Sequence, residues 1–181
     1  MTQYFLIVDV EATCSNDNSI PRYETEIIEI GAVMLNGDTW IIESEFQQFI
    51  RPVRHPHLTN FCTQLTTIRQ EDVDAASTFP DVISRFKEWI YSFPNHIFCS
   101  WGDYDKNQFI RDCKFHNVPY PFSSEHRNIK KEFSEYCGIS QKFGMAQALQ
   151  HLGIELQGTH HRGIDDARNI AAIFRHMNTQ K

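Results

Sequence analysis

Hydrophobic positions along this chain switch between a period of two and a period near 3.6, and the switches mark out its elements. Residues 4–8 are an unbroken apolar run, the signature of a strand covered on both faces, and they lead directly into Asp9 and Glu11. Residues 15–24 are polar, contain Asn16, Asn18 and Pro21, and predict a loop. Residues 26–35 are rich in Ile and Val and predict a second strand. Asn36-Gly37-Asp38 then supplies a hairpin signal. Residues 40–50 alternate, with Trp40, Ile42, Phe46 and Ile50 on one parity and Glu43, Glu45 and Gln47 on the other. That pattern predicts an antiparallel partner with one wetter face.

The rest of the chain turns helical. Residues 58–76 read as short helical pieces. Thr78 is a candidate N-cap for a helix whose Val82, Ile83, Phe86, Trp89, Ile90 and Phe93 share a face, and Pro94-Asn95 stops it. Residues 96–101 predict a further strand. Residues 106–115 predict a helix with Phe109 and Ile110 facing inward, and residues 117–124 a proline-containing loop. Residues 127–137 predict a helix with Ile129, Phe133 and Tyr136 along one side. Residues 144–152 form another, ending at Gly153. After a polar loop over 156–162, the last helix spans about 163–177, with Ile170, Ala171, Phe174 and Met177 lining one face. A hairpin-rich start followed by helices alternating with a strand predicts one α/β domain over residues 1–181.

Composition narrows the function classes. The 181 residues carry a formal net charge of -6, with a pI of about 5.8. This argues against a broad basic surface for nucleic acid, but leaves room for a cleft that grips a few nucleotides with bound cations. Aromatics make up 13% of the chain, enough for both a core and a stacking surface. Five cysteines, an odd number without a CxxC pair, read as reduced thiols of a cytoplasmic protein. The N-terminus lacks signal-peptide features, and no apolar run approaches the length of a membrane span.

The candidate chemistry lies in the acids. Asp9 and Glu11 are two apart on a strand, so their side chains share a face. Two carboxylates so placed repel, and a hard divalent cation such as Mg²⁺ or Mn²⁺ relieves the repulsion. Asp105 follows a predicted strand and opens a helix, a position where α/β folds place ligands, with Asp103 as its competitor two residues earlier. Asp165 and Asp166 fall in the first turn of the last helix. Asp166 lies one turn before Ile170 and starts beside the buried face, which favours it over Asp165. His161 precedes Asp166 by five residues and has the ordinary pKa of a general base at neutral pH, although His160 stands next to it.

In this order the residues resemble the DEDDh 3′-5′ exonucleases, the DnaQ-like superfamily on a ribonuclease-H-like fold. The first motif is Asp9-Val10-Glu11-Ala12-Thr13-Cys14, the second Asp105-Lys106-Asn107-Gln108-Phe109-Ile110, and the third runs from His161 to Asn169. The stretches 46–52 and 58–66 look like the branch of RNA-trimming exonucleases of the histone-mRNA and RNA-interference type. Thr67 departs from that branch, which tends to have Gly there.

The resemblance implies a central mixed five-stranded sheet flanked by helices. It implies two Mg²⁺ or Mn²⁺ ions on Asp9, Glu11, Asp105 and Asp166, with His161 as general base and Glu11 also reaching the terminal ribose. Ala12, Thr13, Phe61, Leu65 and His161 are the implied substrate contacts, Phe61 and Leu65 by stacking on or wedging behind terminal bases. Lys106, Lys130, Lys131 and Arg162 are phosphate candidates, the lysines at 130 and 131 reading more readily as a solvated face. The expected activity is release of nucleoside 5′-monophosphates from single-stranded RNA 3′ ends. The rivals are a DNA-directed proofreading or repair exonuclease and a non-catalytic RNA- or nucleotide-binding module.

Overall fold

A computed structural model describes residues 2–123 and 125–180. Three antiparallel strands open the chain: β1 (Tyr4–Ala12), β2 (Ile27–Asn36) and β3 (Ile42–Phe49). Two short helices follow, α1 (Asn60–Thr66) and α2 (Gln70–Asp74), then α3 (Phe79–Tyr91), β4 (His96–Ser100) and α4 (Tyr104–Phe115). The chain ends with β5 (His126–Asn128), α5 (Ile129–Cys137), α6 (Met145–Leu152) and α7 (Gly163–Thr179). The sheet order is β3-β2-β1-β4-β5, antiparallel on the β2 side of β1 and parallel on the β4 side.

The central position of β1 explains its apolar run, because each face meets a different core. Leu6, Val8 and Val10 pack with α3 and α4 residues such as Val82, Phe86 and Phe109. Phe5 and Ile7 pack with Phe133, Leu149, Ile170 and Phe174 from α5, α6 and α7. Asp9 and Glu11 continue the second parity, so they face the side covered by α7.

Four local expectations are corrected. Ile110 faces outward and is 47% exposed, because inward-facing Phe109 already fills that side of α4. Tyr136 is likewise exposed, its hydroxyl donating to the Gln180 carbonyl. The start of the helix expected over 127–137 is instead β5, three polar residues pairing parallel to β4. In and beside β3, Trp40 and Ile42 pack with the α7 core, whereas Phe46 and Ile50 pack with the α3 core. A register shift at Met34/Leu35, where Ser44 and then Ile42 are the partners, lets one parity serve both faces.

The departure at Thr67 also has a structural place. Thr67 closes α1 in the left-handed region (φ 60°), with its N–H donating to the Thr63 carbonyl.

Candidate active site

The acids converge where β1 outruns its parallel neighbour. β4 pairs with β1 only from Tyr4 to Ile7, so the β4 side of β1 is open beyond that point. The start of α4 takes over there: Val10 N–H donates to Asp105 Oδ1 at 3.0 Å, with Asp105 buried. From the other side, the first turn of α7 brings Asp166 against Asp9 and Glu11. Ligand oxygens of Asp9, Glu11 and Asp166 lie within 4.8 Å of one another.

Close backbone packing sets the position of Asp166. A Cβ on Gly31 of β2 would fall 2.0 Å from the Gly163 carbonyl carbon, and one on Gly163 would fall 2.9 Å from the Asp9 carbonyl oxygen. Only bare backbone permits α7 to sit this close. Glu29, fully buried on β2, clamps the junction. Its carboxylate accepts from Gly163 N–H at 3.1 Å, from Arg162 Nε at 3.1 Å and from Gln47 at 2.8 Å. It thereby offers negative charge to the N-terminus of α7, where the helix dipole favours it.

All four acids are hard to ionise. Burial, then Asp105 and Glu11, pushes Asp9 well above the usual carboxylate range. Burial, then Asp166 and Glu29, pushes Glu11 up to about 9. Burial raises Asp105 to about 7 against the opposing pull of Val10 N–H. Burial also raises Asp166, opposed by the bonded His160. An oxygen-only donor set, buried and self-repelling, fits divalent cations of the hard class.

The two histidines divide their contacts. His160 Nδ1 lies 3.0 and 3.2 Å from the Asp166 carboxylate oxygens. His161 takes a left-handed backbone (φ 65°) and donates its N–H to Asp166 Oδ2 at 3.0 Å. Their rings stack at 3.9 Å, and burial followed by the charge of His160 holds the His161 imidazole below its ordinary pKa.

A cleft of about 370 Å³ opens over this cluster. Asp9, Glu11, Asp105, Asp166 and both histidines line it. The exonuclease (RNase T) family profile matches residues 6–174, which include every one of these positions. The chain belongs to this exonuclease family.

Its relatives agree. ERI1 exoribonuclease 3 of Homo sapiens is 38% identical over 180 residues, covering 95% of this chain and 52% of its own length. For 3′-5′ exoribonuclease 1 of Homo sapiens the identity is 34%, covering 94% and 51%. This family member therefore spans about half the length of the curated relatives it matches. The crystal structure of the nuclease domain of 3′hExo, a DEDDh family member bound to rAMP, superposes with a TM-score of 0.90. It is 34% identical and covers 97% of this chain and 92% of that one.

The remaining candidates of this exonuclease-family chain fall into two groups. Ala12 and Leu65 line the cleft. Thr13 and Phe61 are not among its lining residues. Thr13 is fully buried, its hydroxyl accepting from Glu26 N–H, and Phe61 is half-buried on α1. Asp103 also lies outside, bonded to Lys106 and Asn128 on the surface. Asp165 caps the preceding loop through Thr159 N–H and pairs with Arg168.

Trp101 and Tyr104 also line the cleft, and sequence reasoning missed both. A positional signal could have found them, since both follow the C-terminal end of β4, where open α/β sheets bind ligands.

Proposed function

We propose that this chain is a metal-dependent 3′-5′ exonuclease that releases nucleoside 5′-monophosphates from single-stranded RNA 3′ ends. The observation that carries the reading is the convergence of Asp9, Glu11 and Asp166 oxygens within 4.8 Å, in a cleft that Asp105 and His161 also line. Asp9, Glu11, Asp105 and Asp166 would hold the cation pair, Mg²⁺ or Mn²⁺. Bound there, such ions supply activation of water and neutralisation of charge at phosphorus.

The protein's own groups do the rest. His161, whose imidazole burial and His160 hold below its ordinary pKa, is placed to accept a proton from the attacking water. His160 keeps the Asp166 carboxylate turned toward the cluster. Leu65, Trp101 and Tyr104 give the terminal base apolar and aromatic walls that suit any base. Glu11 and the Ala12 backbone lie beside the position expected for the terminal ribose, whose 2′-hydroxyl offers both a donor and an acceptor.

RNA is favoured because the relatives above 30% identity are named exoribonucleases, and one solved relative holds rAMP. The five free cysteines support a reducing, cytoplasmic setting. The test is hydrolysis of matched RNA and DNA oligonucleotides with labelled 5′ ends. Stepwise shortening from the 3′ end, faster on RNA and abolished by EDTA, is the expected result. Faster shortening of DNA would transfer the assignment to DNA, and binding without turnover in either metal would reject catalysis.

A further inference from the structure

A second cavity, of about 500 Å³, adjoins the catalytic cleft and is basic. Lys130, Lys131 and Lys142 line it, three of the seven lysines in a chain whose net charge is -6. Ser140 adds a hydroxyl to the wall, while the side chains of Asn128 and Ser134 are already bonded, to Asp103 and to the Lys130 carbonyl. Lys131 is weakly engaged, 3.8 Å from Glu135 on the exposed face of α5. Among the described residues, neither Lys130 nor Lys142 has a carboxylate within 4.0 Å. The one acid in the wall, Asp103, is already occupied by Lys106 at 3.2 Å and by the Asn128 amide at 3.1 Å.

Residues adjacent in the chain line the two cavities. Trp101 and Tyr104 face the catalytic cleft, whereas Gly102 and Asp103, between them in sequence, face the basic trough. Likewise Gly144 and Met145 line the cleft, and Lys142 lines the trough. Gly102 stands at the divide without a side chain, in a backbone region that glycine favours (φ 102°), and the nearest atom to a Cβ there is Lys130 Cδ at 3.8 Å. The lysines of the trough therefore begin next to the residues that separate it from the cleft.

We propose that this trough holds the phosphodiester backbone of the substrate strand just upstream of its 3′-terminal nucleotide. The inference rests on the exonuclease reading for the direction of the strand. Its chemistry is independent of that reading: three lysines with weak or no carboxylate pairing in a concave wall suit successive phosphates without reading sequence. It also resolves an electrostatic problem. The acidic cluster repels a polyanion, and a cationic lane beside it offsets that repulsion where the strand enters.

The test uses the whole chain with Lys130→Gln and Lys142→Gln combined, and Lys87→Gln on α3 as control. Lys142 is exposed and Lys130 half-buried, so folding of the double variant is checked by an unchanged melting curve. Binding of a fluorescent 12-nucleotide RNA in EDTA is followed by anisotropy across a salt series. The double variant should bind at least about tenfold more weakly. Its slope of log K against log salt should be shallower by about 1.4, which is about 0.7 for each phosphate left without its lysine. Lys87→Gln should match the parent.

In Mg²⁺, kcat/KM should fall further on the 12-mer than on a dinucleotide. Equal binding and an equal salt slope in parent and double variant would overturn the proposal. So would a poly-glutamate peptide binding the trough more tightly than RNA. A parent that binds RNA through these lysines yet hydrolyses nothing would defeat the exonuclease reading and leave the trough assignment standing.

Discussion

Gly31 on β2 and Gly163 at the start of α7 touch backbone to backbone, so closely that a methyl group on Gly31 would sit 2.0 Å from Gly163. This contact sets how near Asp166 comes to Asp9. Gly31→Ala must push α7 away from the sheet. We expect a loss of about 1–3 kcal/mol of stability, as for overpacked cores, and a larger proportional loss of turnover. Thermal melting and single-turnover rates on the same preparation check both. A variant with parental turnover would show that the glycine contact does not position the acid.

The two stacked histidines should separate in their effects. His161→Ala removes the proposed base and should lower kcat by about 10²–10⁴-fold. His160→Ala removes only the partner of Asp166 and should cost about 10–100-fold, expressed chiefly as weaker Mg²⁺ affinity. The acid limb of the pH–rate profile should lie below pH 6.5, because His161 is held below its ordinary value. Titrating Mg²⁺ against rate for both variants gives the comparison.

Glu29 has no access to solvent, yet binds Arg162, Gly163 and Gln47. Glu29→Gln keeps the shape and removes the charge that Arg162 and the α7 N-terminus face. Arg162 is a quarter exposed, so water recovers part of the loss, and we expect about 1–3 kcal/mol of destabilisation. Urea denaturation measures it, and an unchanged midpoint would exclude the clamp.

The cluster also fixes a pH dependence. Glu11 (about 9), Asp105 (about 7), Asp9 and Asp166 all have folded-state values above those of the unfolded chain. The folded state then holds more protons from about pH 4 to 9, so the chelated protein loses stability as pH rises across that window. Millimolar Mg²⁺ should flatten the decline. A remainder should persist from Asp112, which burial raises to about 7 in a separate place beside Ile27 N–H. Melting temperatures at pH 6 and 8.5, with EDTA and with Mg²⁺, test the sign; a chelated protein more stable at 8.5 contradicts it.

Thr67 occupies a backbone region that favours glycine. Thr67→Gly relieves a left-handed cost of about 1–2 kcal/mol and adds unfolded-chain entropy worth about 0.4–1 kcal/mol. A net gain of about 0.5–1 kcal/mol is expected in equilibrium unfolding.

Much of this was legible from residues alone, for physical reasons that can be named. The run into Asp9 and Glu11 announced a central strand because both of its faces are dry. Asp166 was separable from Asp165 by helical phase, since Ile170 one turn later marks the inner face. β5 was not legible, because a strand of only His126, Arg127 and Asn128 carries no apolar alternation and exists through its pairing with β4. The split of Ile42 and Phe46 between two cores was hidden too, as a bulge leaves no hydrophobic mark. Trp101 and Tyr104 carried a positional signal, but rings are so common in this chain that neither stood apart.

Helix α7 contributes Asp166 from its first turn and fills the core with Ile170, Ile173 and Phe174 from the turns that follow. One rigid rod thus serves as both keystone and tool holder. Warming cannot blunt the tool while sparing the arch, so heat inactivation and global melting should trace a single superimposable curve.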